Sequence, residues 1–163
     1  MVDGIEKTAL ARNRNTPPAV LAKLAKDENV EVRMAVAFNW NAPPAVLAKL
    51  GEDEDEKVRR AVACNPNTPP IVLAWLAEDG RPEVRRALAC NWNTPPQVLA
   101  KLVEDEGLGA IWAIACNPNT PPHVLEGLAA DEDVIVRKNV AKNPNWSIIP
   151  TRRHSRWTCP SGC

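Results

Sequence analysis

The sequence predicts an all-α solenoid, and three observations predict it. Pro-Pro recurs at positions 17, 43, 69, 95 and 121, a strict 26-residue interval. Apolar residues in both halves of each interval are spaced for helices rather than strands. Each helix so defined is about eight residues long, too short to hold itself in water, so stability must come from stacking one unit on the next.

Each unit opens on an Asn-x-Asn-Thr or Asn-x-Asn-Ala tetrapeptide, at Asn13, Asn39, Asn65, Asn91 and Asn117. The first helix is expected to begin where Thr16, Thr68, Thr94 and Thr120 can cap free backbone N–H groups ahead of the prolines. Proline suits that turn, because its missing N–H costs nothing there and its φ is already helical. The helix then runs through residues such as Val20, Leu21 and Leu24. An acidic connector follows, and the second helix buries Val32, Ala35 and Val36 at i, i+3 and i+4. Small residues at Ala22, Ala35 and Ala37 let neighbouring helices approach closely. The expected product is an elongated, right-handed α-superhelix of five two-helix repeats over residues 13–142, preceded by a partial repeat or cap at 1–12.

The unit is similar to the leucine-rich repeat variant family. Asn65-Pro66-Asn67-Thr68-Pro69-Pro70, Val72-Leu73 and Val84-Arg85-Arg86-Ala87-Leu88-Ala89 carry the resemblance. It implies an α-superhelix in which one helix of each pair can be a tight 3₁₀ turn, with no β-sheet and no enzymatic activity. Some members carry a cysteine-rich iron–sulfur segment ahead of the repeats, but residues 1–12 hold no cysteine, so the cluster is not carried over and no cofactor is implied. The second half of the unit also resembles a HEAT repeat, with Asp79 and Arg85 six residues apart.

The pattern fails at the sixth unit, where Asn143-Pro144-Asn145 is followed by Trp146-Ser147-Ile148. Residues 143–163 therefore read as a degenerate repeat start and a foreign, disordered basic tail. All three serines lie there with Arg152, Arg153 and Arg156 and no acidic residue. Without a polar cap the last repeat is expected to self-associate.

The chain carries 20 basic and 20 acidic residues, so no global field draws it to nucleic acid or an anionic membrane. No apolar run approaches the roughly 18 residues of a membrane span, and Asp3 and Glu6 interrupt the start where a signal peptide would be apolar. A cytoplasmic protein is the expectation.

Three ladders recur by position. Cys64, Cys90 and Cys116 are expected as small buried residues equivalent to Phe38. Stacked helices lie roughly 8–10 Å apart, beyond the span of about 7 Å for a disulfide, so they should stay reduced and share no metal. Cys159 and Cys163 read as an exposed thiol pair. Asp27, Asp53, Asp79, Asp105 and Asp131 should cap the second helix and meet Arg33, Arg59, Arg85 and Arg137 of the same or the next layer. The run from Glu52 to Glu56 lacks the ligand alternation of a calcium loop and reads as a solvated connector.

The tryptophans are the informative departures. Trp40 and Trp92 stand where other units have proline, Trp75 where a lysine is expected, and Trp112 where others have Met, Arg or Lys. Such residues either cover a neighbouring layer or await a partner. No catalytic set can be assembled: His123 starts a helix, His154 lies in the tail, and no Gly-rich phosphate loop is present. The expected function is a non-enzymatic scaffold for another protein, contacted through Trp75, Ile111 and Trp112 on the arginine-bearing surface. The alternatives are nucleic-acid or phosphate binding through Arg59, Arg60, Arg85, Arg86, Arg137 and Lys138, and a structural spacer.

Overall fold

The computed structural model describes residues 4–105 and 110–146. The expected tail lies almost wholly outside the described residues. Eleven helices and no strand are found among them. In chain order they are α1 (Gly4–Arg12), α2 (Pro18–Leu24), α3 (Val30–Phe38), α4 (Pro44–Leu50), α5 (Glu56–Cys64), α6 (Pro70–Leu76), α7 (Pro82–Cys90), α8 (Pro96–Val103), α9 (Ile111–Cys116), α10 (Pro122–Leu128) and α11 (Val134–Lys142). Both helices of every unit are α-helical, so the tight 3₁₀ turn implied by the family resemblance is not found. No helix among the described residues is long and apolar enough to cross a membrane.

The proline pair sets where each first helix begins. A residue that precedes proline is pushed out of the α region, so the first proline, itself followed by one, must be extended. Pro17 and Pro43 both have φ −59° and ψ 145°. The helix can start only at the second proline, at its first helical position, where no N–H is needed.

The expected threonine cap is therefore absent: the cap position belongs to the first proline, which has no side-chain acceptor to offer. The threonine hydroxyls turn the other way. Thr68 Oγ1 donates to the Val62 carbonyl at 2.6 Å and Thr94 Oγ1 to that of Leu88 at 2.7 Å. Each adds a second hydrogen bond to a carbonyl in the last turn of the preceding second helix, which also accepts the N–H of Asn65 or Asn91.

Where a side chain caps a second helix, on α3, α5 and α11, it lies two residues later than the aspartate ladder predicted, and α7 and α9 have no side-chain cap. Asn29, Asp55 and Asp133 accept the N–H of Glu31, Lys57 and Ile135 at 2.9, 2.8 and 2.7 Å. Asp27 and Asp53 instead accept the N–H of the capping residue itself, at 3.0 Å in both cases, and so orient the cap rather than form it.

The core is one continuous column of leucines from the first helices and alanine and valine from the second, with Leu21, Leu47, Leu73, Leu99 and Leu125 wholly buried. Each such side chain contributes roughly 2–3 kcal/mol on transfer from water, which no single short helix could collect alone. Consecutive second helices pack directly, α1 on α3, α3 on α5, α5 on α7, α7 on α9 and α9 on α11, whereas first helices contact chiefly the second helices beside them. The second helices are thus the tight, inner row of the stack.

α1 belongs to that row: Lys7 stands one repeat before Arg33, and Ala11, wholly buried, one repeat before Ala37.

Candidate functional site

Two frames tie the layers together, and what they leave exposed defines the site. The first frame is made by the asparagine that opens each unit. Asn65 Nδ2 donates to the carbonyls of Ala37 (2.7 Å) and Asn39 (3.0 Å) in the previous layer. Its Oδ1 accepts the N–H of Asn67 at 2.8 Å. Asn39, Asn91, Asn117 and Asn143 repeat the pattern, and all five are buried. The second asparagine of the motif adds a rung: Asn67 Nδ2 donates to the Trp40 carbonyl and Asn145 Nδ2 to that of Pro118 at 2.7 Å. The sequence marks these residues only as helix ends; their strict recurrence two apart was the available signal.

The second frame is the arginine–aspartate ladder, which crosses layers. Arg33 Nε and Nη2 hold the Asp53 carboxylate at 2.7 and 3.0 Å, while Nη1 donates to the Asp27 and Glu28 carbonyls at 2.9 and 3.0 Å. Arg59 treats Asp79, and the Asp53 and Glu54 carbonyls, in the same way. Arg85 pairs with Asp105 at 2.7 Å. Lys7 takes the arginine's role at the first rung, reaching Asp27 at 2.6 Å.

Burial alone would raise the Asp53 and Asp79 carboxyls, but the guanidinium and the backbone N–H each accepts outweigh it and hold both below the usual range. The hydrogen bond from Lys7 lowers Asp27 likewise. The partner arginines Arg33 and Arg59 are raised by those carboxylates.

The ladder breaks once. Ile111 stands where an arginine would meet Asp131, and it lies half-buried against the core. Asp131 forms no ion pair among the described residues; it accepts the N–H of Asp133 at 2.8 Å. Arg137, in the last unit, donates to the Asp131 and Glu132 carbonyls at 2.7 and 2.9 Å, and the residue in its next-layer carboxylate register, 157, lies outside the described residues.

Of the arginines singled out in the sequence, then, Arg59 and Arg85 are committed to the ladder and Arg60 and Arg86 are exposed beside it. On each second helix, positions i, i+3 and i+7 form one stripe turned away from the first helices. Its members are Glu31, Met34 and Phe38 on α3, Lys57, Arg60 and Cys64 on α5, and Glu83, Arg86 and Cys90 on α7. Trp112 and Cys116 continue it on α9, and Ile135, Lys138 and Lys142 on α11.

The cysteines are a correction. Cys64, Cys90 and Cys116 are free but exposed, as is Phe38, because the fully buried small position is the alanine just before them: Ala37, Ala63, Ala89 and Ala115 fill the contact between layers. Crowding along the ladder still desolvates the thiols of Cys64 and Cys90 and pushes both up, with the neighbouring thiol adding to it. Cys159 and Cys163 lie outside the described residues.

The three expected contact residues do not share one surface. Trp112 is 51% exposed on the inner stripe, Ile111 faces the core, and Trp75, 54% exposed, lies on α6 in the outer row. Trp40 and Trp92 are also exposed, in the turns that follow α3 and α7. Arg14 lies over the Trp40 ring, 4.8 Å from its centre.

Among the described residues no three His, Cys, Asp or Glu side chains converge as a metal site would need. A depression of about 560 Å³ lies at the α1 end among Ile5, Thr8, Arg12, Asn29 and Glu31, and none of these forms a nucleophile–base pair. Val134 and Ile135 are exposed on α11, the helix expected to mediate self-association.

The family model described as the Leucine Rich Repeat Variant domain matches residues 41–91. That segment spans α4 to α7, two of the five units with the same motif and geometry. No curated protein and no solved structure matches the chain.

Proposed function

We propose that this leucine-rich repeat variant solenoid is a non-enzymatic scaffold that holds another protein on the inner stripe of its second helices. One observation carries the reading. On a frame whose buried asparagines and core recur layer after layer, the stripe on the directly packed second helices changes character from one layer to the next, through Met34, Arg60, Arg86, Trp112 and Lys138. Packing does not require that variation, and exposed Trp112, with Phe38 on the stripe and Trp40 beside it, is the kind of residue that dominates interfaces.

Catalysis finds little support. Most of the recurrent carboxylates are engaged in ladder pairs, and among the described residues no nucleophile, base and orienting group are assembled. A cytoplasmic setting suits the three free thiols.

The test is affinity capture with the full chain as bait, at low and high salt and with nuclease treatment in parallel. A protein retained under all conditions by the native chain, and lost with Trp112→Ala of unchanged helicity, supports the scaffold. Loss on nuclease treatment would replace it with nucleic-acid binding, which is steeply salt-dependent.

A further inference from the structure

We infer that the inner stripe takes an extended acidic segment of a partner protein, read one layer at a time in a register of about three residues. The inference rests on the scaffold reading above and names the chemistry of its partner.

Charge is the first argument. The chain as a whole is neutral, yet its charges are sorted. The stripe exposes Arg12, Lys57, Arg60, Arg86, Lys138 and Lys142 against only Glu31 and Glu83. Most acidic residues lie in the connectors at the other edge, including Glu52, Glu54, Glu78, Glu104 and Glu132. The Arg33, Arg59 and Arg85 side chains, which would otherwise add to the field, are neutralised within the ladder. A cationic strip bordered by an acidic rim steers an anionic partner onto the strip and repels it from the rim.

Spacing is the second. Packed helices lie roughly 8–10 Å apart and a chain in the extended polyproline II conformation advances about 3.1 Å per residue with three residues per turn, so such a segment running along the stack turns every third side chain to the stripe and meets a new layer at each. Read through the middle position of the stripe, the layers present Met34, half-buried on the core with one side open, then exposed Arg60, Arg86, Trp112 and Lys138. The complementary segment is apolar, acidic, acidic, apolar, acidic, with two residues between each. Phe38 and Trp40 widen the apolar seat at one end. A phosphate chain has no use for the two apolar stations, which is why an acidic peptide fits better than a nucleic acid.

The probe is a labelled synthetic peptide, Leu-Ser-Ser-Glu-Ser-Ser-Glu-Ser-Ser-Leu-Ser-Ser-Glu, titrated against the full chain by fluorescence anisotropy. A shuffled peptide of the same composition and a single-stranded oligouridylate are run beside it. The patterned peptide should bind about tenfold more tightly than the shuffled one, the effect of roughly 1.4 kcal/mol. Arg60→Glu with Arg86→Glu should weaken it by at least that factor, and the milder Arg60→Gln by less. Lys23→Glu with Lys49→Glu, on the outer row, should leave it unchanged.

Equal binding of the shuffled peptide, equal loss from the outer-row variant, or tighter binding of the oligouridylate would each overturn the inference. If the peptide fails while protein capture still depends on Arg60 and Trp112, only the acidic partner is refuted; if capture is indifferent to both, the stripe itself is refuted.

Discussion

Replacing Asn91 by alanine tests the claim that buried asparagines, rather than leucines alone, hold successive layers in register. Asn91 is 3% exposed, and its amide donates to the Ala63 and Asn65 carbonyls at 2.8 and 2.9 Å while its oxygen accepts the N–H of Asn93 at 2.9 Å. Alanine can adopt the extended backbone of this position, φ −86° and ψ 117°, so the change removes the bonds without straining the chain. A net intramolecular hydrogen bond contributes about 1 kcal/mol and a buried partner left open costs about 1–3 kcal/mol. The expected loss is therefore about 3 kcal/mol, a large share of the roughly 5–15 kcal/mol that a folded domain possesses.

The control is Asn13→Ala. Asn13 opens the first unit and is exposed, and among the described residues its side chain makes one bond, accepting the N–H of Asn15 at 2.9 Å, so its loss should cost under about 1 kcal/mol. Urea unfolding followed by circular dichroism reads both. Because a solenoid is a chain of nearest-neighbour interfaces, Asn91→Ala should also broaden or split the transition. Equal costs for the two variants, or under about 1 kcal/mol for Asn91→Ala, would refute the reasoning.

Three further outcomes are expected. Asp53→Asn, which strips the charge from a half-buried bidentate pair, should cost about 2–4 kcal/mol, whereas Asp131→Asn should cost under about 1 kcal/mol because Ile111 gives it no cationic partner; similar costs at both sites would mean the ladder contributes nothing. The carboxyls of Asp27, Asp53 and Asp79 are lowered in the folded chain, so they stabilise it above the unfolded value of about 3.9. That stabilisation disappears as the pH falls from there through the lowered folded values. The urea midpoint should drop across this window, and by less in Arg59→Gln; an unchanged drop in the variant would contradict the assignment. Finally, Cys64 and Cys90 are exposed yet raised, so iodoacetamide should label both in the native state, slowly near neutral pH and faster as the pH climbs through the alkaline range. Labelling only after unfolding would return them to the core.

The repeat, the helices and the leucine column could be read from the chain because each depends on local chemistry: proline at a helix start, apolar residues three and four apart, a motif copied at fixed length. What could not be read depends on the neighbouring layer. Thr68 has the right identity and place for a cap, but Pro69 is forced to be extended by Pro70, and the hydroxyl is left facing the helix behind it. Cys64 sits next to a buried position, and by periodicity alone it reads as one. Little more than a quarter-turn of a nine-residue helix separates Ala63, against the next layer, from Cys64, in solvent, and periodicity over so short a span does not resolve the two.

The same logic separates Arg59 from Arg60. Adjacent in sequence and identical in type, they differ only in which way the helix turns them: Arg59 reaches across to Asp79 and is consumed in holding the stack together, while Arg60 projects from the stripe. A residue repeated because every layer needs it is a poor candidate for recognition, since its geometry is already committed. The discriminating positions are those whose residue changes from layer to layer, and there the chain places Met34, Arg60, Arg86, Trp112 and Lys138 in succession. A stack of identical layers would offer a partner no unique register. The order of these five side chains removes that degeneracy, which is why a shuffled peptide of equal charge is the decisive comparison.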